Sequence, residues 1–233
     1  MLITLLLSYM VIYKIMKSFK FNNKNIHIHL NDIPDNLNLG GIVAIDTETT
    51  GLSLVRDKLC LVQICSENKD FHIIQFNNLF YDNPEIAKNL SIMLGDEKIE
   101  KIFHYARFDL AILKKYFKST CNGKIFCTKI ASRLVRTYTD RHGLKELCKD
   151  LMNIDLNKSQ QTTDWASKDL TDEQLKYAIG DVLYLHDLRN KLILMLKREN
   201  RYDLARNIFD FLDTRTNLDL TGWLSEDIFS HSI

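Results

Sequence analysis

The chain has 233 residues, 45% of them hydrophobic and 26% charged, with a formal net charge of +1. This is the composition of an ordinary globular protein, long enough for one α/β domain with a sizeable core. The near-neutral charge argues against the broadly basic surface of a protein that grips long nucleic acid, so either the basic residues cluster locally or the substrate is small.

Residues 1–13 are nearly all apolar. The run is shorter than the roughly 20 residues of a spanning helix and lacks the basic leader and small-residue cleavage site of a signal peptide. Met16 follows, ahead of a polar stretch, and is read as the translation start. Residues 1–20 are then a dispensable extension and 21–233 one domain. A short membrane-surface anchor is the alternative reading of the extension; no stable membrane partner is expected.

Gly40-Gly41 marks a turn before Ile42-Val43-Ala44-Ile45, an apolar run that reads as a buried central strand. Leu59 to Cys65 reads as a second strand and Phe71 to Ile74 as a third. The short polar turn from Ser66 to Lys69 makes those two antiparallel. Pro84 opens a helix to about Leu94, with Gly95 at its end. Lys98 to Phe103 is the fourth strand, Arg107 to Phe117 a helix, and Lys124 to Cys127 a short fifth strand. Beyond Gly143 the pattern is helical almost throughout. Thr171 and Gln174 form a capping box for a helix whose Leu175, Ala178, Ile179, Val182 and Leu185 share one face. The sum is an α/β fold with a mixed five-stranded sheet flanked by helices and a helical C-terminal part.

The five cysteines are odd in number and form no C-x-x-C pair. That argues against a disulfide framework and against a zinc site, and fits a reducing cytosol.

Four acidic residues and a tyrosine stand out. Asp46 and Glu48 are two apart at the end of an extended segment, so their carboxylates point the same way. Tyr177 and Asp181 are four apart on a helix, off its apolar face. Asp109 falls near a helix start just after the fourth strand. Unpaired carboxylates this close to one another and to a core resist ionisation. Divalent cations relieve that, and oxygen-only ligands suit Mg²⁺ or Mn²⁺. Taken singly, Asp46 and Asp109 could be turn or helix caps and Tyr177 a core tyrosine.

The D-x-E of Asp46 and Glu48, the aspartate Asp109 and the Y-x-x-x-D of Tyr177 and Asp181 resemble the three motifs of the DEDDy branch of 3′–5′ exonucleases, the ribonuclease D and proofreading-exonuclease superfamily. Lys158 to Trp165 is also similar to ribonuclease D. Phe126 to Ser132, Arg136 to Lys145, Asn217 to Leu220 and the closing Asp227 to Ser232 resemble the nano-RNase C group more closely, and that likeness covers about residues 26–232. The resemblance implies a ribonuclease-H-like fold and an enzyme that hydrolyses short RNA, above all dinucleotides; the cysteine usage points to a cytoplasmic one. It also implies a homo-oligomeric ring, thought to be octameric. Two divalent cations, Mg²⁺ or Mn²⁺, would sit about 4 Å apart. Asp46, Glu48 and Asp181 would hold the first, Asp46 would bridge to the second, Asp109 would support that second position, and Tyr177 would orient the attacking water.

For the substrate, Leu52 could wedge between bases as the equivalent leucine does in similar nucleases, and His104 could contact it. Arg136, Arg141 and Lys158 are candidates for its 5′ phosphate. Leu52 as a core leucine, His104 as a strand-end histidine and a solvated basic face compete with these roles. Two whole-protein readings also compete: a ribonuclease D-like exonuclease trimming longer single-stranded RNA or DNA, and a nucleic-acid-binding scaffold with a silent site.

Overall fold

The structure is a computed structural model and describes residues 15–21, 24–117, 124–156 and 163–231. Seven strands form one sheet: β1 (Ile15–Phe21), β2 (Lys24–Leu30), β3 (Ile42–Thr49), β4 (Leu59–Cys65), β5 (Phe71–Gln75), β6 (Glu100–Phe103) and β7 (Ile125–Cys127), in the order β1-β2-β5-β4-β3-β6-β7. All five strands expected from the sequence are present. The two additional ones, β1 and β2, pair antiparallel at one edge, and β2 joins β5 in parallel. Ile15–Phe21 therefore belongs to the sheet, although the sequence reading assigned most of it to the extension. β3, β4 and β5 make the expected antiparallel meander, while β6 and β7 continue from β3 in parallel.

The central position of β3 and β4 follows from their composition. Every residue of β4 is buried, as are Val43, Ala44 and Ile45 of β3. Apolar runs of this kind fit a strand covered on both faces.

The helices are α1 (Asn78–Asp82), α2 (Lys88–Gly95), α3 (Ala106–Lys114), α4 (Thr128–Val135), α5 (Leu144–Met152), α6 (Asp172–Leu183), α7 (Leu185–Arg198) and α8 (Tyr202–Leu220). The helix expected from Pro84 is a single 3₁₀ turn, Pro84–Ile86, followed by a separate α2. The break has a clear anchor: the Asp32 carboxylate accepts from the backbone N–H groups of Asn89 and Leu90, at 2.9 and 2.7 Å, and so fixes a new helix start. The expected capping box on α6 is present, with Gln174 N–H on Thr171 Oγ1 at 3.2 Å and Thr171 N–H on Gln174 Oε1 at 2.9 Å. The apolar face of α6 packs on β3 and β4. That leaves Tyr177 and Asp181 aimed along the sheet toward the end of β3.

Candidate metal-binding active site

Asp46 and Glu48 lie at the C-terminal end of β3, on the sheet face that α6 covers. Oxygen atoms of Asp46, Glu48 and Asp181 lie within 4.8 Å of one another, and all three residues are half-buried. Asp109 is in the first turn of α3 and is buried. Thr47, whose side chain alternates to the other face of β3, donates from Oγ1 to Asp109 Oδ1 at 2.7 Å. One strand thus presents two carboxylates directly and steadies the fourth through the threonine between them.

The four carboxyls burden one another. Asp46 is held well above the ordinary carboxyl range, first by burial and then by the charges of Asp109, Asp181 and Glu48. Glu48 is raised to about 9, by burial and then by Asp181 and Asp109. Asp109 is raised to about 7 by burial, with the Thr47 hydrogen bond pulling the other way. Tyr177 is raised by burial and then by the charges of Asp181, Glu48 and Asp46, and it hydrogen-bonds Asp181. A phenol held in its neutral form can donate a hydrogen bond but cannot act as a base near neutral pH. The donor set, oxygen-only and mutually repelling, fits a hard divalent cation: such a charge removes the repulsion and restores ionisation.

These residues line a cleft of about 600 Å³ with Leu52, His104, Tyr105, Phe108, Lys129, Thr163 and Trp165. Leu52 is 82% exposed at its mouth. Its loop is organised around the Asp57 carboxylate, which accepts from Ser53 N–H at 2.8 Å. Gly51 passes so close to that carboxylate that a Cβ would collide with it. His104 Nδ1 lies 2.9 Å from Thr128 Oγ1 and the ring borders the cleft. Tyr105 adopts a left-handed backbone, φ 68°, immediately before α3, and Lys129 Nζ sits 4.2 Å from its ring centre.

Two of the candidate phosphate ligands are placed elsewhere. Arg136 is only 1% exposed. It is consumed inside the fold, paired with Asp150 and donating to the Arg141 carbonyl at 2.9 Å. Its position is corrected from phosphate ligand to internal ion pair. Arg141 is exposed but does not line the cleft. Lys158 lies outside the described residues. The residues that sequence reasoning gave no role are Thr47, Tyr105, Phe108, Lys129, Thr163 and Trp165. Lys129, Thr163 and Trp165 fall in segments already noted for their resemblance, which was the available signal. Among the described residues no helix is long and apolar enough to cross a membrane.

Comparison with known proteins identifies the family and the fold. The 3′–5′ exonuclease family matches residues 25–197. Ribonuclease D of Gluconacetobacter diazotrophicus is 29% identical over 174 residues, 75% of this chain and 42% of the relative. DNA polymerase I of Aquifex aeolicus is 36% identical over 74% of this chain and 26% of its own length. The chain therefore spans less than half of these curated relatives. Brucella melitensis NrnC bound to pGG superposes with a TM-score of 0.81 at 48% identity, covering 89% of this chain and 98% of that one. The same protein with bound Mg²⁺ gives 0.80 at 47% identity, over 89% and 99%. The fold is that of the ribonuclease-H-like exonucleases. With its three acidic motifs assembled around one cleft, the chain belongs to the 3′–5′ exonuclease family, in the ribonuclease D-like branch.

Proposed function

We propose that this protein is a cytoplasmic 3′–5′ exoribonuclease that hydrolyses short oligoribonucleotides, dinucleotides above all, to mononucleotides. The observation that carries the proposal is end-to-end likeness: 48% identity over 98% of a nuclease seen with pGG bound. The carboxylate cluster supports the chemistry, and the net charge of +1 supports a small substrate.

Asp46, Glu48 and Asp181 would hold one divalent cation. Asp46 would be shared with a second, and Asp109 would support that second position. When bound, Mg²⁺ or Mn²⁺ would supply a nucleophilic water and charge stabilisation at the scissile phosphate. The chain's own residues do the rest. Tyr177 holds a proton at its phenol oxygen and, linked to Asp181, orients the attacking water. Thr47 fixes the rotamer of Asp109. Leu52 enters between bases, His104 contacts the sugar-phosphate, and Tyr105 and Lys129 border its path. Assembly into a closed ring would exclude longer strands sterically.

The test is turnover of a 5′-phosphorylated diribonucleotide and of a longer single strand, with Mg²⁺ or Mn²⁺ and with Asp181→Ala as control. A strong preference for the dinucleotide supports the proposal. Efficient shortening of the longer strand moves the protein to general ribonuclease D-like trimming, and cleavage of neither leaves a binding scaffold.

A further inference from the structure

A second cluster of ligand-type side chains lies on the other face of the sheet. His27 and His29 are two apart on β2 and so share a face. His72 on β5 is the direct partner of His27 in the parallel register. Following the register across the sheet, His72 pairs with Ile64 and Ile64 with Ile45, whereas Asp46 pairs with Gln63. The histidines are therefore on the face opposite Asp46 and Glu48.

His29 and His72 are buried, at 4% and 5% exposure, and His27 is half-buried. Ring centres of His27 and His72 are 5.1 Å apart, of His29 and His72 5.2 Å, and of His27 and His29 6.4 Å. His29 Nε2 faces His72 Nδ1 at 3.0 Å. Burial lowers His29 to about 4 and His72 to about 3, with neighbouring histidines adding to it. Both imidazoles are thus neutral near pH 7, the form that binds metal.

The spacing fits a transition metal. Two nitrogens on a tetrahedral ion at about 2.0–2.1 Å stand roughly 3.3–3.4 Å apart, slightly wider than the His29–His72 pair. Binding there breaks the His29–His72 hydrogen bond, shifts the tautomer of one ring and turns both rings so that their lone pairs converge on the ion, with no net proton loss. The third ring has to turn. Among the described residues only Asp46, Glu48 and Asp181 already bring three ligand atoms within 4.8 Å of one another. His27, half-buried, is the most accessible of the three rings. Imidazole ligands favour Zn²⁺, Cu²⁺, Ni²⁺ or Co²⁺ over Mg²⁺, so the two faces of the sheet select different ions. The cysteine spacing that spoke against zinc does not bear on a histidine site.

We propose that His27, His29 and His72 form a transition-metal site that ties β2 to β5, distinct from the acidic centre. The test is Co²⁺ titration of the untagged full chain with the acidic centre saturated by Mg²⁺. The expected result is one equivalent bound, with the intense visible band of a four-coordinate, nitrogen-rich site displaced by Zn²⁺. His27→Ala should weaken that binding at least tenfold, and Asp181→Asn should leave it unchanged. No band in the Mg²⁺-saturated protein, or a band unaltered in His27→Ala or lost in Asp181→Asn, overturns the proposal. Should the histidine variant not fold, pulsed electron resonance of the Cu²⁺-loaded wild type counts the ligands directly. Three coordinated imidazoles are expected, and any smaller number rules the assignment out.

Discussion

Asp46 and Asp219 are both carboxylates withdrawn from water, and the fold treats them in opposite ways. Asp219, on α8, is only 6% exposed and is gripped by two guanidinium groups, with Arg107 and Arg215 nitrogens at 2.6 and 2.7 Å. Asp46 is surrounded instead by Asp109, Asp181 and Glu48, all of which push its proton affinity up. A buried charge answered by the chain's own cations is part of the scaffold. One answered by further negative charges is unfinished until a cation arrives from solution. Asp219 is held by cations of the chain itself, and Asp46 is left to one from outside.

Removing one member of each set is the sharpest way to break that contrast. Asp181→Asn should lower turnover on the order of a thousandfold, about 4 kcal/mol of barrier. Its melting temperature without metal should hold or rise, because one repelling charge is gone. A steady-state assay beside a thermal melt reads both, and a variant that is inactive only because it unfolds would defeat the distinction. Asp219→Ala should do the reverse. It leaves two arginines without their carboxylate, a change that costs about 3–5 kcal/mol where such pairs are buried, and denaturant unfolding should show it.

The pH dependence of stability is the next largest effect. Glu48 and Asp109 have folded-state values of about 9 and about 7, against ordinary values of 4.5 and 3.8. Their contribution is complete below the ordinary values and is lost as pH rises through about 7 and then about 9. With a chelator present, the melting temperature should therefore fall between pH 6 and pH 9. Saturating Mg²⁺ should flatten that slope, and equal slopes with and without Mg²⁺ would refute the cation site.

Smaller changes sharpen the roles around the centre. Thr47→Val keeps the shape but removes the bond to Asp109, and about 10–100-fold in metal affinity or turnover should go with it. The apparent Mg²⁺ constant for activity reports this. Leu52→Ala should act mainly on KM for the dinucleotide, by roughly tenfold or less, about the stacking energy of one base. An unchanged KM would return Leu52 to a mere loop residue.

The acidic centre was legible because its spacings are geometric statements. Two residues apart on a strand and four apart on a helix fix direction without tertiary knowledge. Arg136 shows where that stops, since its partner Asp150 is on another helix and sequence offers no sign that the pair will be internal. The left-handed Tyr105 and the Thr47–Asp109 bond are likewise products of how β6, α3 and β3 meet. β2 was missed for a different reason. Its alternation of Ile26, His27, Ile28 and His29 has the period of a strand, but histidine at the alternate positions reads as polar surface, whereas His29 is buried. The helix break at Ala87 depends on Asp32, more than fifty residues upstream, and no local pattern could announce it.

Arg107 and Asp109 sit two residues apart in the first turn of α3. Arg107 also donates to the Leu224 carbonyl at 2.8 Å, beyond the end of α8. The same short stretch of chain that aims a carboxylate into the cleft is therefore moored to the C-terminal segment. Whatever tugs on that segment, whether a neighbouring molecule or a fused tag, pulls on the platform from which Asp109 is presented. A partner or fusion that displaces Leu224 should then register as altered cation affinity, which makes this segment a handle on the active centre as well as its tether.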